Sequence, residues 1–412
     1  MLSQGTYHQV YTLQQVLEHW WIAAVALGAS LIATPICRWV AYRFKIVDRP
    51  DALLKPHGRP IAYLGGVGIC TGLLAGLAIS VAVLPDLGDK WQSLVTSLSK
   101  GDFRSVLHNP IWNLSAIAVA SVLIMLVGLI DDLRNITPNK KLLGQVLAAA
   151  VLLLGGIAHR MAIVVTSPLL GPMSDYVVVP LSMIMCVLMV IAACNATNLI
   201  DGLDGLCGGV TWIIALGFLL LASYLATWDQ HPGADQLRVV LSLAMAGAIV
   251  GFLPYNVPPA SIFMGDAGSM LIGFFVATMM ALFCQQGNLR WLAGACMIFA
   301  LPILDTGLAV VRRLISGKGI FVGDRSHLYD QLVDRGMSVK QVVYLFYLLA
   351  AAAAVAGVMF AITMRFRVAM PLYVAIFLAA FLLFYLTGML RPEKQNKSAK
   401  PEEEPQEAAP RE

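Results

Sequence analysis

The sequence predicts an all-α polytopic membrane protein of about 11 transmembrane helices. Two observations carry this reading. Of the 412 residues, 58% are hydrophobic and only 13% are charged, roughly half the ~25% charged fraction of soluble domains. The apolar residues also fall into runs of about 20, the length that crosses a bilayer core. A soluble chain with so little charge could not cover its core. Lipid solvates such a surface, and a helix satisfies its backbone polar groups internally.

The predicted spans are 19–43, 64–84, 112–130, 142–158, 181–198, 208–227, 238–256, 268–286, 291–311, 342–363 and 370–390. Residues 1–18 are mostly polar, and the apolar run from Trp20 enters a span directly, so a cleavable signal peptide is not expected. Segment 159–180, "HRMAIVVTSPLLGPMSDYVVVP", has Ser-Pro and Gly-Pro breaks between β-branched runs. That pattern suits a hairpin or re-entrant element better than a span. The tail 391–412, "RPEKQNKSAKPEEEPQEAAPRE", lacks large apolar residues and reads as disordered. The expected organisation is an extracytoplasmic segment 1–18, a membrane-embedded domain 19–390 and a cytoplasmic tail.

Charge sets the sidedness. If the loops at 44–63, 131–141, 199–207, 257–267 and 312–341 and the tail share one side, that side, with Arg38 and Arg43 at the first span's end, holds 20 of the 28 Lys and Arg. Positive residues favour the cytoplasm, which puts the N-terminus outside and the C-terminus inside. The net charge of +4 is small, and no nucleic-acid partner is expected. The seven cysteines lie in or beside apolar runs with no CxxC pair, and read as small buried residues.

With this topology the carboxylates sort by side. Eleven of the 17 aspartates fall inside or at inner span ends. They cluster in "LIDDLRN" (Asp131, Asp132), "NLIDGLDG" (Asp201, Asp204), "FMGDAGS" (Asp266), "LPILDTG" (Asp305) and "GDRSHLYDQLVDRG" (Asp324, Asp330, Asp334). Ordinary loop polarity accounts for Asp48, Asp51, Asp330 and Asp334. It accounts poorly for Asp131, Asp201, Asp266 and Asp305, which follow directly on apolar runs, where a carboxylate is costly unless it is paired or binds a cation. Asn198, Asp201 and Asp204 stand at i, i+3 and i+6 and share a face if the segment is helical. Clustered hard oxygen ligands suit Mg²⁺, with Mn²⁺ as the alternative, and Mg²⁺ usually sits between carboxylates and substrate phosphates.

The basic loops add a rim. Lys55, His57 and Arg59 crowd "DALLKPHGRPIAYLGG", and Arg325 and His327 lie in the late loop. The positive-inside rule alone explains such residues singly; their nearness to the Asp cluster favours anion binding. Carboxylates, a hard cation and a basic rim are what metal-assisted phosphoryl transfer needs, and the membrane setting points to a lipid substrate.

These motifs resemble the polyprenyl-phosphate N-acetylhexosamine-1-phosphate transferases, with the phospho-MurNAc-pentapeptide translocase as a cousin. The resemblance runs from about Asp48 to Gly336. "HGRPIAYLGG" is similar to the family's first cytoplasmic loop, "GLIDDL" to its paired-Asp motif, "NATNLIDGLDGLCGG" to its most specific signature and "FMGDAGS" to its metal motif. The resemblance implies that undecaprenyl phosphate attacks the β-phosphate of a UDP-N-acetylhexosamine. UMP leaves, and undecaprenyl-diphospho-sugar begins a cell-surface polysaccharide such as O-antigen at the inner (plasma) membrane. Asp266 would ligate Mg²⁺ with Asn198 or Asp201 nearby. Asp131 and Asp132 would position or deprotonate the lipid phosphate, with Asp201 and Asp204 counted among the catalytic acids. Lys55, Arg59, Asn198, Arg325 and His327 would bind substrate. GlcNAc is the first choice of sugar, with GalNAc, FucNAc and QuiNAc as alternatives, and a homodimer is the one protein partner considered. Two departures bear on the sugar. Asn135 stands where the paired-Asp motif often continues to a third acid, and the late loop keeps only His327 of the family's His-x-His-His.

Two other classes compete. A cation- or proton-coupled transporter would use aspartates as an ion relay, but the acids gather at one face and no inverted repeat is visible. A CDP-alcohol phosphotransferase would carry DG-x-x-A-R after its first Asp pair, and "DGLDGLCGG" does not.

Overall fold

The computed structural model describes residues 18–48, 60–83, 85–159, 161–171, 173–228, 232–285, 288–315, 317 and 327–388. Segment 1–17, the tail, and the predicted site residues Lys55, Arg59 and Arg325 lie outside them. The helices in chain order are α1 (Trp20–Phe44), α2 (Gly65–Val83), α3 (Pro85–Lys100), α4 (Phe103–Leu107), α5 (Pro110–Arg134), α6 (Pro138–Leu154), α7 (Met161–Leu170), α8 (Asp175–Ile200), α9 (Leu206–Trp228), α10 (Pro232–Asn256), α11 (Gly265–Cys284), α12 (Leu289–Ile298), α13 (Ala300–Ile315), α14 (Leu328–Asp334), α15 (Val339–Thr363) and α16 (Phe366–Leu386). One two-residue antiparallel ribbon, β1 (Val47–Asp48) with β2 (Ile61–Ala62), joins α1 to α2.

Among the described residues nine helices are long and apolar enough to cross a membrane, or ten if one bent pair counts as a span. The expected count of 11 is therefore reduced, at two places. The span expected at 142–158 is α6, only 17 residues long. The span expected at 291–311 is broken into α12 and α13, bent by 74°. Pro302 explains where α13 begins: it sits in the first turn, where its missing N–H needs no partner. Segment 159–180, expected as a hairpin or re-entrant element and not as a span, contains the 10-residue helix α7, which is too short to span. The stretch between the second and third expected spans also forms a helix, the amphipathic α3, with Trp91, Val95 and Leu98 exposed along one face.

The bundle is built around α11. Its sequence is apolar on all sides, and every residue from Ala267 to Cys284 is buried, as expected for a helix enclosed by others. Its small residues let neighbours approach. Gly265, Ser269 and Gly273 stand at i, i+4 and i+8, the small-xxx-small spacing of close helix pairs in membranes. Along this stripe α8 packs tightly. The Thr197 hydroxyl donates to the Ser269 carbonyl at 2.8 Å, and Gly273 lies against Ala193 and Cys194. On another side α5 closes in at Gly128, where a Cβ would run into the Asp266 carbonyl and the Ala267 backbone. The ribbon adds the third contact. Ala62 bridges Ile262, and its carbonyl accepts the Phe263 N–H at 2.9 Å, fixing the chain just before α11.

The start of α11 is thus gripped from α5, α8 and the ribbon at once. We predict that Gly128→Ala pushes α5 off α11 and costs about 1–3 kcal/mol, the usual penalty for overpacking. Thermal unfolding in detergent should show the drop, and an unchanged melting temperature would contradict the close approach.

Candidate active site

The site forms where four helix ends meet. Helix α11 has no cap of its own, since Met264 at the N-cap position makes no side-chain bond. Asp132, in the last turn of α5, supplies the cap from outside. Its Oδ1 accepts the Asp266 N–H at 2.8 Å and its Oδ2 the Ala267 N–H at 3.0 Å. A carboxylate there satisfies orphan donors and complements the positive end of the helix. Gly265 makes the geometry accessible: its φ is +67°, and a Cβ would collide with the Asp132 carboxylate.

Asp131 faces the other way. Its Oδ1 accepts the Ile136 N–H at 2.9 Å, and its Oδ2 lies 3.0 Å from the Lys141 ammonium. Lys141, in the first turn of α6, also contacts the Asp266 carboxylate and donates to Asn198 Oδ1 at 3.3 Å. The Asn198 amide in turn donates to Asp266 Oδ1 at 2.6 Å and to Ser269 Oγ at 3.0 Å. One ammonium and one carboxamide therefore tie α5, α6, α8 and α11 together around Asp266. By sequence alone Lys141 is one basic residue of the 131–141 loop. The usable signal was Thr137-Pro138, a helix start that places Lys141 one turn into α6.

The i, i+3, i+6 reading of "NLIDGLDG" needs correction. Helix α8 ends at Ile200, with Asp201 as its C-cap, and Gly205 at φ +75° turns the chain. Asn198 and Asp201 join the cluster, but Asp204 Oδ2 accepts the Ala260 N–H at 2.9 Å and braces the loop before α11. Burial and then the charges of Asp266, Asp132 and Asp204 hold the Asp201 carboxyl well above the ordinary carboxylate range. Tyr63, just after β2, is pushed up by burial and by Asp48, Asp132, Asp201 and Asp266, and keeps its phenol proton. A cavity of about 540 Å³ opens beside the cluster, lined by Lys45, Asp48, Tyr63, Asp131, Asp132 and Asp266 among others.

His327 and Asp305 form a second group. His327 Nδ1 lies 2.8 Å from Asp305 Oδ2. The His327 ring stacks on Tyr329, whose hydroxyl donates to the Leu199 carbonyl at 3.1 Å and packs on Gly202. This group is thereby attached to the chain segment that carries Asp201. Among the described residues no three His, Cys, Asp or Glu side chains gather as a ready metal-ligand group. Lys141 supplies the positive charge between Asp131 and Asp266.

Comparison with known proteins fits this geometry. The family model for glycosyl transferase family 4 matches residues 114–284, the stretch holding Asp131, Asp132, Lys141, Asn198, Asp201, Asp204 and Asp266. The chain is 32% identical to the decaprenyl-phosphate N-acetylglucosaminephosphotransferase of Mycobacterium tuberculosis over 79% of each chain. It is 30% identical to the undecaprenyl-phosphate alpha-N-acetylglucosaminyl 1-phosphate transferase of Yersinia pestis, over 85% of this chain and 86% of that one. The phospho-N-acetylmuramoyl-pentapeptide-transferase of Shouchella clausii is 28% identical over 84% of this chain and 97% of its own.

The Asp201 environment gives a stability prediction with a definite sign. Its proton is held more tightly in the folded chain than in the unfolded one. In metal-free buffer its contribution to stability therefore falls as pH rises from the ordinary carboxylate range, about 4, through the raised folded value. Asp201→Asn should melt above the unsubstituted protein at about pH 8, with the gap closing toward about pH 4. A lower melting temperature for the variant at the higher pH would contradict the placement.

Proposed function

This chain belongs to glycosyl transferase family 4, and on that premise we propose that it transfers N-acetylglucosamine-1-phosphate from UDP-N-acetylglucosamine to a polyprenyl phosphate. The carrying observation is the constellation of Asp131, Lys141, Asn198 and Asp266 at one meeting point of four helices, inside the segment that the family model matches. The relatives' printed activities support the sugar and the lipid class. They lend no support to the transporter reading.

The reaction forms one P–O bond and breaks another. An oxygen of the polyprenyl phosphate attacks the β-phosphorus of the nucleotide sugar. The bond from that phosphorus to the bridging oxygen breaks, UMP leaves, and a polyprenyl-diphospho-sugar remains. The lipid phosphate needs little activation, because a phosphate monoester with a second pKa of about 6 is largely dianionic near neutrality. Positioning and charge neutralisation then carry most of the rate. Lys141 is the residue placed to do this: its ammonium already bridges two carboxylates, and an incoming phosphate oxygen can compete for its N–H donors. Asp131 holds Lys141, which favours its positioning role over that of a base. Asp132 acts through α11, whose first amides it caps.

The donor set fits Mg²⁺, with Mn²⁺ as the alternative. The donors are hard carboxylate oxygens, those of Asp131, Asp132, Asp201 and Asp266 gather around the Lys141 ammonium, and burial and then the neighbouring carboxylates hold the Asp201 carboxyl well above the ordinary range. Asp201 and Asp266 would hold the ion, Asn198 would orient Asp266, and substrate phosphates would complete the shell. When bound, the ion neutralises the diphosphate and withdraws charge from the β-phosphoryl oxygens. The distribution of Lys and Arg supports a site on the cytoplasmic face of the plasma membrane, with the N-terminus outside. The product would begin a cell-surface polysaccharide.

The test is direct. Purified protein with Mg²⁺, undecaprenyl phosphate and UDP-N-acetylglucosamine should release UMP in step with a labelled lipid. EDTA should stop it, and Asp266→Ala should lower the rate by at least about 100-fold, the scale seen when a charge-stabilising group is removed from an active site. Full activity in EDTA or in that variant would refute the site. A larger rate with another UDP-N-acetylhexosamine would replace the sugar.

A further inference from the structure

His327 is held in a way that distinguishes its two ring nitrogens. Asp305 is 1% exposed and His327 is 5% exposed. A carboxylate this enclosed must be satisfied by donors. Both of its oxygens are: Oδ2 takes His327 Nδ1 at 2.8 Å, and Oδ1 takes the backbone N–H of Leu328, also at 2.8 Å. The two donors come from consecutive residues, so the chain cannot slide along the carboxylate without losing one of them. The plane of the ring is fixed as well. Tyr329 stacks on it with centroids 5.5 Å apart and planes 7° from parallel, and Tyr329 is itself anchored to Leu199. Asp305 reaches this position because α13 turns 74° away from α12. Among the described residues no hydrogen-bond partner is found for Nε2 of His327.

We propose that Asp305 is a positioning residue for His327: its carboxylate keeps a proton on Nδ1, so that Nε2 is the one ring nitrogen left to exchange a proton or a hydrogen bond with a substrate phosphate oxygen. The part that involves phosphate rests on the transferase reading; the tautomer does not. An ionised carboxylate can only accept, so Nδ1 must be the donor. Replacing Asp305 by Asn changes that logic without changing the shape. The carboxamide has one oxygen for two N–H donors, and its NH₂ group facing Nδ1 favours the opposite tautomer. A residue that served only to hold the start of α14 would affect melting temperature and leave the tautomer alone.

The experiment uses full-length protein labelled with ¹⁵N-histidine in detergent micelles, at a pH where the ring is neutral, with His327→Gln to assign the signal. The proposal expects Nδ1–H in the unsubstituted protein and Nε2–H in Asp305→Asn. In the transferase assay Asp305→Asn should lower kcat by about 100-fold, the scale of a misplaced reacting group, with KM little changed. In a His327→Gln background the same substitution should cause no further loss. Nε2–H in the unsubstituted protein, the same tautomer in both proteins, or a loss that multiplies with His327→Gln would each overturn it. If Asp305→Asn does not fold, the spectrum of the unsubstituted protein decides alone. If no UDP-sugar yields UMP, the transferase reading falls and the spectra still decide the Asp305–His327 pairing.

Discussion

The carboxylate of Asp132 on the first amides of α11 is the contact on which the rest of the site depends. Helix α11 is enclosed on all sides and begins without a cap, so its free N–H groups would otherwise be buried and unsatisfied, at a cost of about 1–3 kcal/mol each. Asp132 accepts two of them. The same bonds fix the end of α5 against the start of α11 and so set where Asp131 and Asp266 stand relative to one another. Gly265 and Gly128 are small because a side chain at either would enter this contact.

The arrangement concentrates negative charge where the chain has little water to screen it. Lys141 relieves part of that, and Asn198 orients the carboxylate it shares with Lys141. What remains, chiefly around Asp201, holds that carboxyl well above the ordinary carboxylate range. The molecule repeats the capping device at α14, where the N-cap residue His327 makes no cap of its own and Asp305 accepts the Leu328 N–H from another helix. In both places a carboxylate from another helix accepts the first free N–H groups of the helix it starts.

Much of this was legible in the sequence because apolar run length and acid placement are local signals. Nine helices among the described residues correspond to expected spans, and Asp131, Asp132, Asn198, Asp201 and Asp266 converge as their motifs implied. The misses have physical causes. Run length cannot see that Pro302 starts a new helix at an angle, so 291–311 read as one span. Helical spacing carried Asp204 onto the face of Asn198, but Gly202 and Gly205 end the helix regularity first, and Asp204 went to the Ala260 amide. Lys141 was hidden because a lysine near a span end satisfies the positive-inside rule without further meaning. Lys55, Arg59 and Arg325 fall outside the described residues.

Asp132 builds the site by capping α11. Thermal unfolding of Asp132→Asn in detergent tests it most directly. A carboxamide can accept one of the two amides but turns an NH₂ toward the other, so stability should fall by about 1–3 kcal/mol, the cost of a buried donor left unpaired. An unchanged melting temperature would contradict the account, and if transferase activity were abolished at the same time, Asp132 would have to act on the substrate itself.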